Sequence, residues 1–392
     1  MQLVLCAARV EPGDAAAATL DTLLARDLDW KAVGRYAREN EVQPLVHRTL
    51  SRREEGQVPT EVLDRLADAS RDVALDNLRF DQTLRRLVDE LEAADIPVIP
   101  FKGPALARRA YGNSAYRQYV DLDLLVQRSD FYRAKAELQE KGYEPYRDLD
   151  DDEEAEFVDS KLGYELVNRA DGTVVELHWG LFYDIYGFGF DPEALWQRHE
   201  RSSFAGQPIR VLAPEDLMRY LCVHGTKHRF LKLKWLCDVA AFVRAQPDLD
   251  WATVQRRARE TGTERMCLLA LYLAHHLLGA AVPPALLRSA RADSTLRALA
   301  ETLCSNWLLR DPERSESETW DVFWFHVRER ERLRDRLPYV WHHVKLAMAP
   351  SEKDREWVDL PEALSFLYVF VRPLRLLREW GGRLFTGQAV SR

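Results

Sequence analysis

The chain has 392 residues, 46% of them hydrophobic, and a formal net charge of −8. This length allows roughly two or three domains, and the acidic balance argues against nucleic acid as a partner. No stretch approaches the ~20 apolar residues of a membrane helix, and the N-terminus lacks the basic start and apolar run of a signal peptide. The five cysteines form no C-x-x-C pair, as in cytosolic proteins with reduced thiols. We therefore expect a cytoplasmic protein without membrane association.

Residues 1–94 predict an N-terminal helical region. Asp29 is a suitable N-cap for a helix that starts at Trp30. An amphipathic run from Glu61 to about Ala94 predicts one long helix. We expect these helices to brace a sheet formed by the residues that follow.

Residues 95–212 predict a mixture of strands and helices. The residue pattern predicts strands at 96–101, 120–126, 161–168 and 173–179, and helices from Pro104 to Tyr111 and from Asp130 to about Lys141. Asp171-Gly172, between the last two strands, is a strong hairpin signal. The acidic run from Asp148 to Glu156 predicts a solvated loop rather than a metal site, because consecutive like charges repel each other.

The pair Lys102-Gly103 lies between the first predicted strand and the helix that begins near Pro104. Lys102 would present a point charge to the β- and γ-phosphates of a nucleotide. Gly103 and the helix N-terminus would bring backbone N–H groups to the same anion. Arg117, just before the second strand, is either a phosphate contact or an ordinary surface arginine.

Asp121 and Asp123 alternate with Leu122 in the strand 120–126. Successive strand residues point to opposite faces, so both carboxylates share one face. Two adjacent acids repel each other unless a cation lies between them, and acids are rare in purely structural strands. We therefore interpret the pair as Mg²⁺ ligands, with two surface acids as the alternative.

Glu176 and His178 alternate in the same way on the strand 173–179. With the two aspartates, Glu176 would complete the three carboxylates that hold two Mg²⁺ ions in phosphoryl and nucleotidyl transfer. It would bridge the ions or act as general base on the acceptor, unless this face of the sheet is simply solvated. His178 either orients a phosphate or the acceptor, or is a hydrogen-bonded structural histidine.

The C-terminal region, residues 213–392, predicts mostly helices. His224, Lys227 and His228 lie on one helix, and the two histidines share a face. This spacing can hold zinc, but the Glu of H-E-x-x-H is missing. We therefore favour a polar helix face that closes over the active site and contacts the nucleotide. Farther along, Arg328 to Arg336 predicts an exposed helix rich in ion pairs.

The order of Lys-Gly loop, helix, Asp-x-Asp strand and acidic strand resembles the nucleotidyltransferase superfamily that includes DNA polymerase beta. More narrowly, it resembles the bacterial uncharacterised nucleotidyltransferase family over about residues 20–245. The loop Lys102-Gly103-Pro104 departs from the superfamily pattern, which has Gly-Ser or Gly-Gly and a shorter gap to the Asp pair. A His-x-x-x-His helix also recurs in the family. The matching residues are Lys102, Gly103, Tyr111, Arg117, Asp121, Asp123, Glu176, His178 and Trp179.

The resemblance implies an α+β fold, with a polymerase beta-like mixed-sheet core flanked by N- and C-terminal helical lobes. It implies a Mg²⁺-dependent enzyme that transfers a nucleoside monophosphate from an NTP such as ATP and releases pyrophosphate. The acceptor stays open: a protein, a peptide or a small molecule. Two alternatives are a non-catalytic nucleotide-binding or scaffold protein on a degenerate transferase fold, which the altered loop favours, and a toxin-like enzyme acting on tRNA ends. The acidic balance disfavours the latter.

Overall fold

The computed structural model describes residues 1–11, 13–182, 188–308 and 319–348, and seven isolated positions beyond them: Asp354, Trp357, Val358, Leu360, Tyr368, Val371 and Arg375. Met1–Glu331 form one unit and Arg332–Arg392 a second. The division into regions 1–94, 95–212 and 213–392 stays a prediction.

The N-terminal region is helical, as predicted. Asp29 caps its third helix by accepting a hydrogen bond from the Ala32 N–H at 2.9 Å. The predicted long amphipathic helix is present, and its second half buries Leu84, Leu87 and Leu91 on one face. The helices are α1 (Gln2–Ala7), α2 (Asp14–Leu24), α3 (Trp30–Glu39), α4 (Gln43–Leu50) and α5 (Thr60–Ala93).

The central sheet is mixed. Its strands are β1 (Val98–Pro100), β2 (Asp121–Val126), β3 (Tyr143–Pro145), β4 (Gly163–Asn168) and β5 (Val174–His178). They lie in the order β1-β2-β5-β4-β3, in which β2 and β5 are parallel and the other neighbours antiparallel. The predicted β4–β5 hairpin is confirmed, and α6 (Gly103–Tyr111) and α7 (Phe131–Glu140) confirm the two predicted helices. The fold class is therefore α+β.

The two faces of β2 belong to two different hydrophobic clusters. Leu122 and Leu124 pack with the second half of α5 and with Phe131 of α7. Leu125 points the other way and joins the larger cluster, which includes the C-terminal helices. Asp121 and Asp123 share the face of Leu125 by strand alternation. The aspartates are therefore directed toward the C-terminal helices.

Helix α5 also holds the loop that precedes β2. The buried amide of Asn77 donates hydrogen bonds to the backbone carbonyls of Ser114, at 2.6 Å, and Arg117, at 2.9 Å. One turn farther along α5, Asp81 accepts hydrogen bonds from the Ser114 and Tyr119 hydroxyls. These bonds fix the path by which the chain enters β2.

The prediction of a loop over the acidic run Asp148–Glu156 was wrong, because a helix, α8 (Asp151–Ser160), starts within it. Asp150 accepts from the Glu153 N–H while the Glu153 carboxylate accepts from the Asp150 N–H, which is a capping box. Acidic side chains in the first turn are also favoured by the helix dipole. The run is therefore stabilised as a helix N-terminus despite its charge repulsion.

The C-terminal region of the first unit follows α9 (Pro192–Arg198) and a hairpin that the sequence did not predict, β6 (Glu200–Phe204) with β7 (Gln207–Val211). Among the described helices, none is long and apolar enough to cross a membrane. The helices are α10 (Pro214–Lys227), α11 (Leu233–Ala245), α12 (Trp251–Thr261), α13 (Glu264–Leu278), α14 (Pro284–Ala292), α15 (Ser294–Leu308) and α16 (Thr319–Glu329).

The predicted exposed helix over Arg328–Arg336 was wrong. Helix α16 ends at Glu329, and α17 (Leu333–Met348) begins in the second unit. Glu329 and Arg330 are buried and pair with each other at 2.9 Å. The alternating charges of this segment therefore belong to a break between two helices, where one ion pair is buried. Within the second unit, Asp354 and Arg375 form a further buried ion pair.

Candidate active site

Asp123 and Glu176 lie side by side on neighbouring strands. They are register partners across the parallel pair β2–β5, so their side chains project from the same face. Asp123 is only 2% exposed, whereas Glu176 is half-buried. With His178, they form a group whose possible metal-ligating atoms all lie within 4.8 Å of one another.

His178 joins the two carboxylates. Its Nε2 lies 3.2 Å from Asp123 Oδ1 and 3.2 Å from Glu176 Oε2. Burial alone would lower the pKa of His178, but hydrogen bonds to both carboxylates raise the pKa to about 9. Burial would in turn raise the pKa of Glu176, but the hydrogen bond from His178 lowers it below its usual value. At neutral pH the group is therefore an imidazolium between two carboxylates.

Lys102 supplies a second cation. It is the N-cap residue of α6, directly after β1, and its ammonium pairs with Asp123. Burial alone would lower the pKa of Lys102, but the Asp123 charge raises it above its usual value. Asp123 responds in the opposite sense: its pKa lies below the usual range because Lys102 and His178 outweigh the effect of burial.

Gly103 is the position where α6 meets β2. Its φ of +52° is in the left-handed region, and a Cβ there would lie 3.1 Å from the Asp121 backbone oxygen. Glycine is therefore required both for the backbone conformation and for the close approach. This approach places the N-terminus of α6 against the start of the Asp strand.

Asp121 lies at the start of β2 and is half-buried. Burial and then the negative charge of Asp123 raise its pKa above the usual value. Its carboxylate lies outside the close group of Asp123, Glu176 and His178. Its role as a metal ligand stays a prediction.

The donor set fits a divalent cation. Asp123 Oδ2 is buried and has no hydrogen-bond partner among the described residues. Buried carboxylate oxygens are rarely left without a partner, and carboxylate oxygens are the ligands that Mg²⁺ prefers. Lys102 and His178 both contact Asp123 through Oδ1, so Oδ2 remains for another positive group.

Gly163 was not predicted from the sequence, yet the site depends on its small size. It lies on β4 opposite His178. A Cβ at this position would lie 2.7 Å from Glu176 Oε1 and 3.1 Å from His178 Nδ1. A glycine within a strand is a general signal of close approach, but it does not reveal which side chains need the space.

Comparison with protein families gives a match over the part of the chain that contains this site. Residues 26–279 match the family described as uncharacterised nucleotidyltransferase. The chain belongs to this family. The match spans more than half of the sequence and includes all the site residues described above, so the resemblance predicted from the sequence is confirmed.

Solved structures similar to this chain share little sequence with it. A crystal structure of ANT(2'')-Ia in complex with adenylyl-2''-tobramycin is 13% identical, has a TM-score of 0.35, and aligns over 47% of this chain and 97% of its own. An antigenic nucleotidyltransferase-like protein from Paracoccidioides brasiliensis is 16% identical and has a TM-score of 0.31. The alignment covers 53% of this chain and 96% of that protein. A comparison with curated proteins gave no match.

Arg117 is buried in an ion pair with Asp238 of α11. Its Nε and Nη2 donate to Asp238 Oδ1 and Oδ2 at 2.8 and 3.0 Å, and the Tyr111 hydroxyl donates to the same Oδ1 at 2.8 Å. A buried bidentate ion pair of this kind fixes the relative orientation of its two side chains. It joins the loop before β2 to the C-terminal helices. Phosphate contact by Arg117 stays a prediction.

Helix α10 and its C-cap residue His228 present a row of aromatic side chains. The rings of Tyr220 and His224 stack with centroids 5.4 Å apart, and the His224 and His228 centroids lie 4.7 Å apart. Burial lowers the pKa of His224 far below its usual value and that of His228 to about 4, so both are neutral at pH 7. Lys227 lies above the Phe182 ring, 5.9 Å from its centroid. Nucleotide contact by these residues stays a prediction.

Tyr220 is a site residue that the sequence analysis missed. Its hydroxyl lies 3.3 Å from His224 Nδ1, and its ring packs edge-on against Phe101. Burial raises its pKa, and the positive charge of Lys102 acts in the opposite direction. Its position four residues before His224, on the same helix face, was the available signal.

Proposed function

We propose that the protein transfers a nucleoside monophosphate from an NTP to an acceptor hydroxyl and releases pyrophosphate. The observation that supports this most directly is the register pairing of Asp123 and Glu176, with a buried Asp123 oxygen that has no described partner. Asp121, Asp123 and Glu176 would hold Mg²⁺ ions. When bound, these ions would neutralise the triphosphate and stabilise the charge on the attacking and leaving oxygens.

Lys102 would exchange partners when the nucleotide binds. In the structure its ammonium pairs with Asp123, at the N-terminus of α6. A divalent cation at Asp123 would repel this ammonium, since like charges at short range are unfavourable. The nearest suitable partner is then the triphosphate, which the N–H groups at the start of α6 also favour.

Glu176 would act on the acceptor. Its pKa lies below the usual value because His178 donates a hydrogen bond to it, so the carboxylate is ionised at neutral pH. An ionised carboxylate within hydrogen-bond reach of an acceptor hydroxyl can take up its proton as the new bond forms. His178 would hold that carboxylate in place.

Nucleotide binding tests this proposal without knowledge of the acceptor. We expect calorimetry to detect binding of at least one of ATP, GTP, CTP and UTP with Mg²⁺, and little binding without it. Asp123→Asn should abolish the Mg²⁺-dependent part. Asp159→Asn, which removes an exposed partner of Arg128, is the matched control and should bind normally.

Nucleotide binding that needs no Mg²⁺ and survives Asp123→Asn would contradict the proposal. It would instead favour a non-catalytic nucleotide-binding protein. Absence of binding by all four nucleotides would also contradict it.

A further inference from the structure

Three carboxylates form a row across three neighbouring strands. Asp123 on β2 is the register partner of Glu176 on β5, and Glu176 is in turn the register partner of Glu165 on β4. All three therefore project from one face of the sheet. Glu165 lies on the far side of Glu176 from Lys102, and it is exposed.

A cavity of about 190 Å³ opens at this end of the row. It is too small for a nucleotide but large enough for a compact group of a few heavy atoms. Because it borders Glu176, an occupant would reach the site on the side away from Lys102. Its lining includes Arg147, Phe157, Lys161, Gly163, Glu165 and Glu176.

Arg147 is held at the rim of this cavity. It directly follows Tyr146, whose backbone N–H donates to the Glu165 carbonyl at 3.0 Å. Its guanidinium lies above the ring of Phe157, 5.5 Å from the centroid, a cation–π arrangement that restricts its direction. Phe157 belongs to α8. The acidic run therefore folds into a helix that forms part of the cavity wall.

The charges at the cavity favour an anion when Glu176 ligates Mg²⁺. Arg147 and Lys161 are cations, and Glu165 and Glu176 are carboxylates. If Glu176 ligates Mg²⁺, the metal offsets the charge of this carboxylate, and the guanidinium of Arg147 then faces a cavity with Glu165 as its other carboxylate. Arginine presents a planar fork that matches a carboxylate or a phosphate. Glu165 can accept a hydrogen bond from a hydroxyl.

We propose that this cavity is the acceptor subsite and that the acceptor is a small hydroxyl-bearing molecule with an anionic group, either a carboxylate or a phosphate. The inference rests on the proposed function. Arg147 binds the anionic group, Glu165 accepts from one hydroxyl, and the reacting hydroxyl faces Glu176. The acceptor oxygen forms a bond to the α-phosphorus of the NTP, the α–β phosphoanhydride bond breaks, the proton passes to Glu176, and pyrophosphate leaves with the bonding electrons.

The test uses four small probes that share one backbone: glycerol 3-phosphate, glycerate, glycerol and 3-amino-1,2-propanediol. Binding of each to the full chain is measured by NMR or calorimetry, with Mg²⁺ and a non-hydrolysable ATP analogue present. We expect one or both anionic probes to bind about tenfold or more tightly than glycerol and the amine. Comparing the affinities of glycerol 3-phosphate and glycerate shows whether the cavity prefers a phosphate or a carboxylate.

Arg147→Gln should abolish this preference and leave binding of the ATP analogue unchanged. Arg169→Gln is the matched control, because Arg169 pairs with Glu144 near the β4–β5 turn and does not line the cavity. It should keep the preference. The pair of variants separates loss of a specific contact from loss of positive charge.

Three outcomes would overturn the subsite. With the ATP analogue bound, all four probes could bind equally, or none of them could bind. The third outcome is tighter binding of the amine than of the anions. If the anionic probes bind and respond to Arg147→Gln but no nucleotide binds, the cavity is supported as an anion site and the proposed function fails.

Discussion

Lys102 and Asp123 form an ion pair at the deepest point of the candidate active site, where Asp123 is almost fully buried. His178 contacts the same Asp123 oxygen from β5. The protein thus balances this buried acid with two cations of its own, which offset the cost of burying a carboxylate. Binding of a divalent cation must therefore compete with these internal partners.

The two aspartates of β2 should respond to neutralisation with opposite signs. The pKa of Asp121 is raised by burial and by Asp123, so its charge destabilises the metal-free fold. Asp121→Asn should raise the free energy of unfolding by ~0.5–2 kcal/mol. Burial would raise the pKa of Asp123, but Lys102 and His178 lower it below its usual value, so Asp123→Asn should reduce the free energy of unfolding by ~3–5 kcal/mol.

Urea unfolding at pH 7 without Mg²⁺ measures both changes, with Asp159→Asn as the control at an exposed ion pair. Both variants should lose transfer activity. Clear destabilisation by Asp121→Asn would mean that Asp121 is a structural residue, and the metal site would have to exclude it.

The protonation of His178 should make stability depend on pH. Its pKa in the folded protein is about 9, compared with 6.5 for an ordinary histidine. The stabilisation is therefore fully present below pH ~6.5 and is lost as the pH rises through about 9. The free energy of unfolding of the metal-free protein should fall across this range.

NMR titration of the His178 ring would check this directly. Mg²⁺ should lower the pKa of His178, because a cation at the carboxylates competes with the imidazolium. In His178→Asn the fall in stability over this range should be smaller. A His178 resonance that titrates near its ordinary value would refute the interpretation.

Lys102→Ala should weaken NTP binding by roughly 1.5–3 kcal/mol, the range for hydrogen bonds to charged groups. Lys102→Arg should not restore full activity, because a planar guanidinium cannot replace a compact ammonium beside Gly103. Binding of the acceptor should not change, since the proposed subsite lies across the carboxylate row. Calorimetry at low salt with saturating Mg²⁺ measures these affinities.

Lys135→Ala is the matched control for Lys102→Ala. Lys135 is buried to a similar degree and pairs with Glu154 on α8, but it lies outside the carboxylate group. It should bind NTP like the unmodified protein. Equal affinities across the Lys102 series would remove Lys102 from the site.

The strands and their acids could be predicted because the signals are local. Alternation of Asp121 and Asp123 with buried leucines, and the Asp171-Gly172 turn, act within a few residues. The parallel pairing of β2 with β5 has no such signal, because sheet order depends on packing between distant segments. The register that places Glu176 beside Asp123, and Glu165 beside Glu176, was therefore not accessible.

Long-range partners also explain what the sequence left open for Arg117 and His178. For both, the alternatives were functional contact or a structural role. The partner of Arg117, Asp238, lies 121 residues away, and that of His178, Asp123, lies 55 residues away. Helical spacing identifies neighbours on one helix face, but not residues brought together by folding. The same limit applies to Glu329 and Arg330. Their alternating charges predicted an exposed helix, but both residues are buried.

Gly163→Ala should impair metal binding while preserving the fold. The added Cβ would lie 2.7 Å from Glu176 Oε1, the far end of a flexible side chain, so Glu176 can swing aside at little cost in stability. Displacing a ligand in this way should weaken Mg²⁺ binding by about 10–100-fold. Gly34→Ala on α3 is the control: no atom lies within 4 Å of the added Cβ, so stability should increase by about 0.5–1 kcal/mol with unchanged metal affinity. Mg²⁺ titration and urea unfolding of both variants measure the two effects, and unchanged metal affinity in Gly163→Ala would mean that Glu176 is not a ligand.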